Sequence, residues 1–67
     1  MPIMQAAPGA KVRWLGKTDF LVLTHGKIYT VLSVEKGWYR VVDDSNDDYL
    51  YPPEMFEIVE NGNLETL

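Results

Sequence analysis

Residues 26–60 alternate between short runs of β-branched and aromatic side chains and tight polar turns, and this pattern limits the chain to a β fold. Residues 27–34 (KIYTVLSV) have the strongest strand composition. Gly37 closes a short hairpin connection, and residues 38–42 (WYRVV) continue as the next strand. Residues 43–48 (DDSNDD) are a polar hairpin tip. Turns at this spacing predict an all-β barrel or sandwich.

A double proline at positions 52 and 53 ends the strand predicted over residues 48–51 (DYLY). Proline has no amide hydrogen, so neither residue can continue a ladder. The sequence PPEMF suits a single 3₁₀ turn that begins at a proline. Residues 57–59 (EIV) then predict a last short strand.

The region before residue 26 adds a first strand over residues 11–15 (KVRWL), in which apolar side chains alternate. Residues 20–24 (FLVLT) are β-prone. We therefore expect an irregular leader over residues 1–10, a small five-stranded barrel over residues 11–60 and a frayed tail over residues 61–67.

The length of 67 residues predicts one small domain with little stability to spare. A domain of this size buries only about 60 % of the surface that its unfolded chain exposes. The chain has no cysteine, which excludes disulfides and thiolate zinc sites. Apolar packing or oligomerisation must therefore supply the stability.

The charge balance is acidic, with ten acidic and six basic residues and a net charge of -4. The basic residues are scattered singly, whereas nucleic-acid binding needs a concentrated positive patch, so nucleic acid and anionic membranes are disfavoured as partners. The first ten residues lack the features of a secretory signal. No segment approaches the roughly 20 apolar residues that span a bilayer. We expect a cytoplasmic protein.

Four pieces of the sequence occur in an order seen in a known family: FLVLTHGK at 20–27, an I-x-x-V-L strand at 28–32, Gly-Trp-Tyr at 37–39, and a strand, proline turn and V-E ending across 50–60. In this order they resemble the body of a Src-homology-3 (SH3) domain. The family's long acidic first loop and its Ala-Leu-Tyr-Asp-Tyr stretch are missing. The chain is therefore most similar to the minimal SH3-like barrels of small bacterial and phage proteins.

The resemblance implies an interaction module, but not the usual proline-peptide site. Peptide-binding members hold polyproline helices between aromatic rings, and only Trp38 and Tyr51 match that aromatic set. Trp38 and Tyr39 are adjacent, so their side chains point to opposite faces. The resemblance implies that Trp38 points outward and Val41 inward.

An exposed indole beside Tyr51 and Pro52 predicts a binding platform, because aromatic side chains dominate interface hot spots. The alternative is that Trp38 covers the barrel edge or packs on the leader. Nearby tyrosine and methionine side chains predict a groove, a homodimer face or a cap over the core. The predicted partner-binding residues are Trp38, Tyr49, Tyr51, Pro52 and Met55.

The predicted core follows from strand alternation and from the resemblance together. Its inward positions are Val12, Trp14, Leu21, Leu23, Tyr29 or Ile28, Val31, Val41, Leu50 or Tyr51, Phe56 and Ile58.

The acidic tip raises the possibility of a calcium loop. With Asp43 as position one, Ser45 and Asp47 fall at positions three and five. Glu54 falls at position twelve, but Asp48 occupies position six, where the turn requires glycine. We therefore predict no metal site and a solvated turn, with weak opportunistic calcium binding as the alternative.

Catalytic residues are few. His25 is the sole histidine, and Ser33 and Ser45 have no motif that would activate a nucleophile. The five glycines are isolated and form no phosphate-binding loop. We expect no enzymatic activity and no cofactor. The hypotheses are a module that binds a protein or peptide, a self-associating accessory subunit and, third, a nucleic-acid-binding barrel.

Overall fold

The structure is a computed structural model that describes residues 6–61. These residues form five antiparallel strands and one 3₁₀ turn, with no α-helix among them. The elements in chain order are β1 (Lys11–Trp14), β2 (Ile28–Glu35), β3 (Trp38–Val42), β4 (Asp48–Tyr51), the 3₁₀ turn (Pro53–Met55) and β5 (Phe56–Glu60). The prediction of an all-β fold with a 3₁₀ turn before the last strand is confirmed.

The strands lie in one sheet in the order β4-β3-β2-β1-β5. The central strand β2 pairs with β1 through residues 28–30 and with β3 through residues 31–35. Its register shifts between Val31, opposite Val41, and Ser33, opposite Arg40, which leaves Leu32 as an extra residue. Such a bulge bends a strand and increases its twist. The sheet therefore turns at Leu32.

The two edge strands, β4 and β5, do not pair with each other, so the sheet is open. The five strands predicted for a small barrel therefore form a sheet that is not closed. Between these strands the chain passes through Pro52 and the 3₁₀ turn. Proline cannot donate to a ladder, so β4 stops at Tyr51 before it can reach β5.

One face of the sheet packs on the core. Its buried apolar residues are Ala6, Ala10, Val12, Leu23, Tyr29, Val31, Tyr39, Val41 and Phe56. The predicted inward positions at Val12, Leu23, Val31, Val41 and Phe56 are confirmed, and Tyr29 rather than Ile28 faces inward. Three further predicted positions, Trp14, Tyr51 and Ile58, are half-buried against this core.

Residues 20–24 do not form a strand, and the prediction that Leu21 is buried was wrong. Asp19 and Leu23 instead form an isolated bridge around a tight turn. Leu21 lies at the tip of this turn with φ of 69° and is 78 % exposed. Leu23 is buried in the core, and Val22 packs against it half-buried.

The described part of the leader, residues 6–10, has no strand but packs into the core. The Gly9 N–H donates to the Val31 carbonyl at 2.7 Å, and the Val31 N–H donates to the Ala10 carbonyl at 2.9 Å. The Ala6 N–H donates to the Tyr39 hydroxyl at 3.0 Å. Residues 1–5 and 62–67, where the rest of the predicted leader and most of the predicted tail fall, lie outside the described residues.

Candidate functional site

Trp38 lies on the outer face of the sheet. Tyr39 and Val41 are buried, so strand alternation turns Trp38 and Arg40 outward. The indole is 46 % exposed. Leu50 lies opposite Arg40, and the β3–β4 ladder ends with Tyr51 opposite Tyr39, so Trp38 and Pro52 each lie one residue beyond the last pair. We call the exposed apolar residues Leu32, Trp38 and Leu50, with Pro52, the outer patch.

A fixed group of charges crosses the outer patch. Arg40 donates to both carboxylate oxygens of Glu35, at 2.6 and 3.0 Å, and to Asp48 at 3.1 Å. The Ser33 hydroxyl also donates to Glu35, at 2.7 Å. The hydrogen bonds from Arg40, and then that from Ser33, lower the pKa of Glu35 to about 2. Arg40 is thus held by its neighbours and is not free to bind an anion.

Tyr49 and Tyr51 lie on the other face of β4. They are opposite Val41 and Tyr39, and directly opposed residues project to the same side of a sheet. Tyr49 is 56 % exposed at the rim, whereas Tyr51 is half-buried. Both rings therefore point away from the side that carries Trp38.

The remaining predicted partner-binding residue, Met55, is half-buried against the core at the end of the 3₁₀ turn. Strand alternation places Trp38 on the face of the sheet opposite to Tyr49 and Tyr51, so the structure does not bring all five residues together. Their role in binding stays a prediction.

The aromatic side chains of Trp14, Tyr51 and Phe56 form a cluster. The Trp14 ring centroid lies 5.2 Å from that of Phe56 and 6.5 Å from that of Tyr51. A β-carbon on Gly16 would overlap the Trp14 indole. The Gly16 carbonyl accepts from His25 Nδ1 at 2.8 Å. The only histidine is thus part of the loop structure.

Asp43, at the start of the acidic tip, is only 6 % exposed. Its carboxylate accepts from the Ser45 N–H at 3.0 Å, the Ser45 hydroxyl at 2.5 Å and the Tyr51 hydroxyl at 2.7 Å. Burial raises the pKa of Asp43, but these hydrogen bonds outweigh it, so the pKa is below its usual value. Burial and then Asp43 raise the pKa of Tyr51. The prediction of a solvated turn was wrong at this residue.

Asp44 connects the acidic tip to the loop before β2. It accepts from Lys27 Nζ at 2.6 Å, the Thr24 hydroxyl at 2.7 Å and the Tyr29 hydroxyl at 3.1 Å. The bonds from Lys27 and Thr24 lower its pKa against the opposing effect of burial. The Asp44 backbone N–H also donates to the Val22 carbonyl at 2.8 Å. Asp44 therefore fixes the turn over residues 19–23 to the end of the sheet.

An open pocket of about 420 Å³ lies beside Asp44, between β2 and the acidic tip. Its charged residues, Lys27, Asp43 and Asp44, already bond to groups of the chain. Within residues 6–61 no three acidic or histidine side chains are grouped as metal ligands would be. Lys27, Asp43 and Asp44 therefore stabilise the fold beside this pocket.

The turn over residues 19–23, which we call the apolar turn, carries the two most exposed large apolar side chains of the described chain. Phe20 is 86 % exposed and Leu21 is 78 % exposed. Asp19 and Leu23 exchange backbone hydrogen bonds of 2.7 and 3.0 Å, and the Val22 N–H donates to the Asp19 carbonyl at 2.9 Å. The positive φ of Leu21 costs a leucine about 1–2 kcal/mol.

The apolar turn escaped prediction because its sequence signal is weak. Asp19 precedes it, but the four residues that follow, FLVL, have strand composition and contain no glycine or proline. Only the preceding turn cluster at residues 16–19 hints that the chain reverses here.

Comparisons with protein-family models, with curated proteins and with solved structures find no match to this chain. No helix in residues 6–61 has the length and apolar character needed to cross a membrane.

Proposed function

We propose that this protein is a non-catalytic interaction module that binds a protein partner through the apolar turn. The supporting observation is the exposure of Phe20 and Leu21. Three backbone hydrogen bonds within the turn, and a fourth from the Asp44 N–H to the Val22 carbonyl, hold the turn in place. Two adjacent apolar side chains in water favour association. Backbone strain such as that at Leu21 is concentrated at functional sites.

The partner that fits this turn is a protein with a concave apolar pocket. A phenyl ring and a leucine side chain are common anchors for such pockets when surrounding contacts exclude water. Nucleic acid fits less well, because Asp19 flanks the turn and the net charge of the chain is -4. The same charge disfavours an anionic lipid surface.

The outer patch is a second candidate contact surface. It contains the exposed Trp38, and Pro52 follows directly after β4; the sequence predicted this pair of residues for binding. Trp38 is less exposed than Phe20 and Leu21 of the apolar turn. The two surfaces are distinguished by separate substitutions.

We also propose that the fold is SH3-like. The support is the five antiparallel strands, the Gly37-Trp38-Tyr39 sequence at the start of β3, and the 3₁₀ turn at Pro53–Met55 before the last strand. The proposed relatives are the minimal barrels of bacterial and phage proteins. The proposed location of this protein is the cytoplasm.

The test is an affinity purification from the native host with the wild type and with Phe20→Ala, Trp38→Ala and Val59→Ala. Val59 is an exposed apolar residue on β5, so its variant controls for non-specific hydrophobic binding. We expect Phe20→Ala to lose a protein that Val59→Ala retains.

The captured protein is then purified and titrated into labelled wild-type protein, with amide chemical shifts as the readout. Shifts centred on residues 19–23 support the proposal, whereas shifts centred on Trp38 assign binding to the outer patch. Unchanged binding by both Phe20→Ala and Trp38→Ala would reject an apolar contact at either surface. Binding of RNA or DNA that weakens with salt would support the nucleic-acid alternative instead.

A further inference from the structure

The edge strand β4 is open to pairing. Its backbone forms a ladder with β3 alone, and the other side of the strand faces no described strand. Natural sheets protect edges with lysine, proline, bulges or charged side chains. The opposite edge, β5, carries Glu57 and Glu60, whereas β4 carries one charged residue, Asp48, and exposes Tyr49 on one face and Leu50 on the other.

The hairpin register shows which backbone groups of β4 face outward. The Asp43 N–H donates to the Asp47 carbonyl, so these two residues form a hydrogen-bonded position. Hydrogen-bonded positions alternate along an antiparallel ladder. Tyr49 and Tyr51 therefore bond to β3, whereas the N–H and C=O groups of Asp48 and Leu50 point away from the sheet.

We propose that two copies of this chain pair through β4, antiparallel, about a two-fold axis that passes beside Tyr49. Asp48 of each copy then lies opposite Leu50 of the other. Each such pair exchanges two hydrogen bonds, so the four bonds use all the outward backbone groups of both strands. The result is one continuous sheet of ten strands, formed from two sheets of five.

The position of the axis follows from Pro52. An axis beside Leu50 would set Asp48 opposite Pro52 of the second copy, which has no N–H to donate. The Pro52 carbonyl already accepts from the Met55 N–H at 3.2 Å. Only the axis beside Tyr49 leaves no outward group of β4 unpaired.

The side chains are compatible with this pairing. Tyr49 faces its own copy across a non-hydrogen-bonded position, where side chains approach closely and aromatic pairs are favourable. Asp48 forms an ion pair of 3.1 Å with Arg40 of its own chain, which Arg40 shares with Glu35, and this pair reduces repulsion across the axis. The Leu50 side chains extend the outer patch of each copy toward the other.

The test is sedimentation equilibrium of the purified protein over about a hundredfold range of concentration, because mass action makes association depend on concentration. The key variant is Leu50→Pro. This substitution removes an N–H that points outward and leaves every hydrogen bond of the β3 ladder in place. An edge strand tolerates proline at such an outward position. Leu50→Lys keeps the N–H and adds a charge to the edge, and it serves if the proline variant is unfolded. Leu32→Ala is the control that removes an exposed leucine away from the edge.

We expect the wild type and Leu32→Ala to dimerise reversibly, and the folded Leu50 variants to stay monomeric. Amide hydrogen exchange at Leu50 slows as the protein concentration rises. A wild type that stays monomeric, or a dimer that survives both Leu50 substitutions, overturns the proposal. So does a dimer that Phe20→Ala abolishes and Leu50→Pro does not, since this would place the contact at the apolar turn. The pairing does not depend on the partner proposed above, because both Leu50 variants leave Phe20 and Leu21 unchanged.

Discussion

The Tyr51 hydroxyl donates a 2.7 Å hydrogen bond to the buried carboxylate of Asp43, which joins the end of β4 to the turn that precedes the strand. The next residue, Asp44, holds the opposite loop through Lys27 and Thr24. Two consecutive carboxylates thus connect three parts of the chain. Protonation of either one weakens bonds to segments that are distant in sequence.

The first prediction concerns acid. The pKa values of Asp43 and Asp44 in the folded chain lie below the ordinary value of 3.8. The carboxyl groups of the unfolded chain therefore take up protons first as the pH falls. The stabilisation from these groups is complete above pH 3.8 and is lost as the pH falls through the lower pKa values of the folded state. Urea denaturation at decreasing pH measures this loss as a falling midpoint.

Asp43→Asn and Asp44→Asn are the controls for the acid prediction. Each removes one titrating group, so the midpoint of either variant depends less steeply on pH in this range than that of the wild type. A wild-type slope that both variants reproduce would assign the acid sensitivity to other carboxylates.

The second prediction compares one substitution at two phenylalanines. Phe56→Ala opens a cavity beside Trp14 and Tyr39 and lowers the free energy of unfolding by about 3–5 kcal/mol. Phe20→Ala removes an exposed ring and changes it by no more than about 0.5 kcal/mol. Thermal and denaturant melts give both values. Equal losses would contradict the burial described for the two rings.

The third prediction concerns the glycine under the Trp14 indole. Gly16→Ala forces a methyl group into the ring and lowers the free energy of unfolding by about 1–3 kcal/mol. Trp14→Leu removes the ring, so the same glycine substitution costs less in that background. A double-mutant cycle measures the coupling. Additive effects of the two substitutions would show that the indole does not cover Gly16.

The fourth prediction concerns the strain at Leu21. Leu21→Gly relieves the positive φ and raises the free energy of unfolding by up to about 1 kcal/mol. Leu50→Gly, at an ordinary strand position, lowers it by about 1 kcal/mol. A Leu21→Gly variant as destabilised as Leu50→Gly would mean that this leucine supports the turn.

Much of the fold follows from local sequence. Alternation along β2 and β3 places Val31, Tyr39 and Val41 inward and Trp38 outward, because one face of each strand must be buried. The double proline predicts where β4 ends. The open sheet was not predictable in this way, since closure depends on two edges that lie far apart in the sequence until the chain folds.

The candidate site was harder to predict because its determinants are not local. The residues FLVL have the composition of a strand, yet the bridge between Asp19 and Leu23 turns them into a loop. The polar composition around Asp43 suggests solvent exposure, but Tyr51, on the far side of the hairpin, buries the carboxylate. Composition also says nothing about the face on which each tyrosine lies, which depends on register.

The packing of residues 6–10 has a consequence for how the protein is made. The Ala7 N–H donates to the Asn61 side chain at 2.8 Å, and β1 pairs with β5 as well as with β2. Residues 6–10 therefore gain their full set of neighbours only after β5 and Asn61 have been synthesised. Contacts so distant along the chain slow folding, and this fold stays incomplete during synthesis until residue 61 is available.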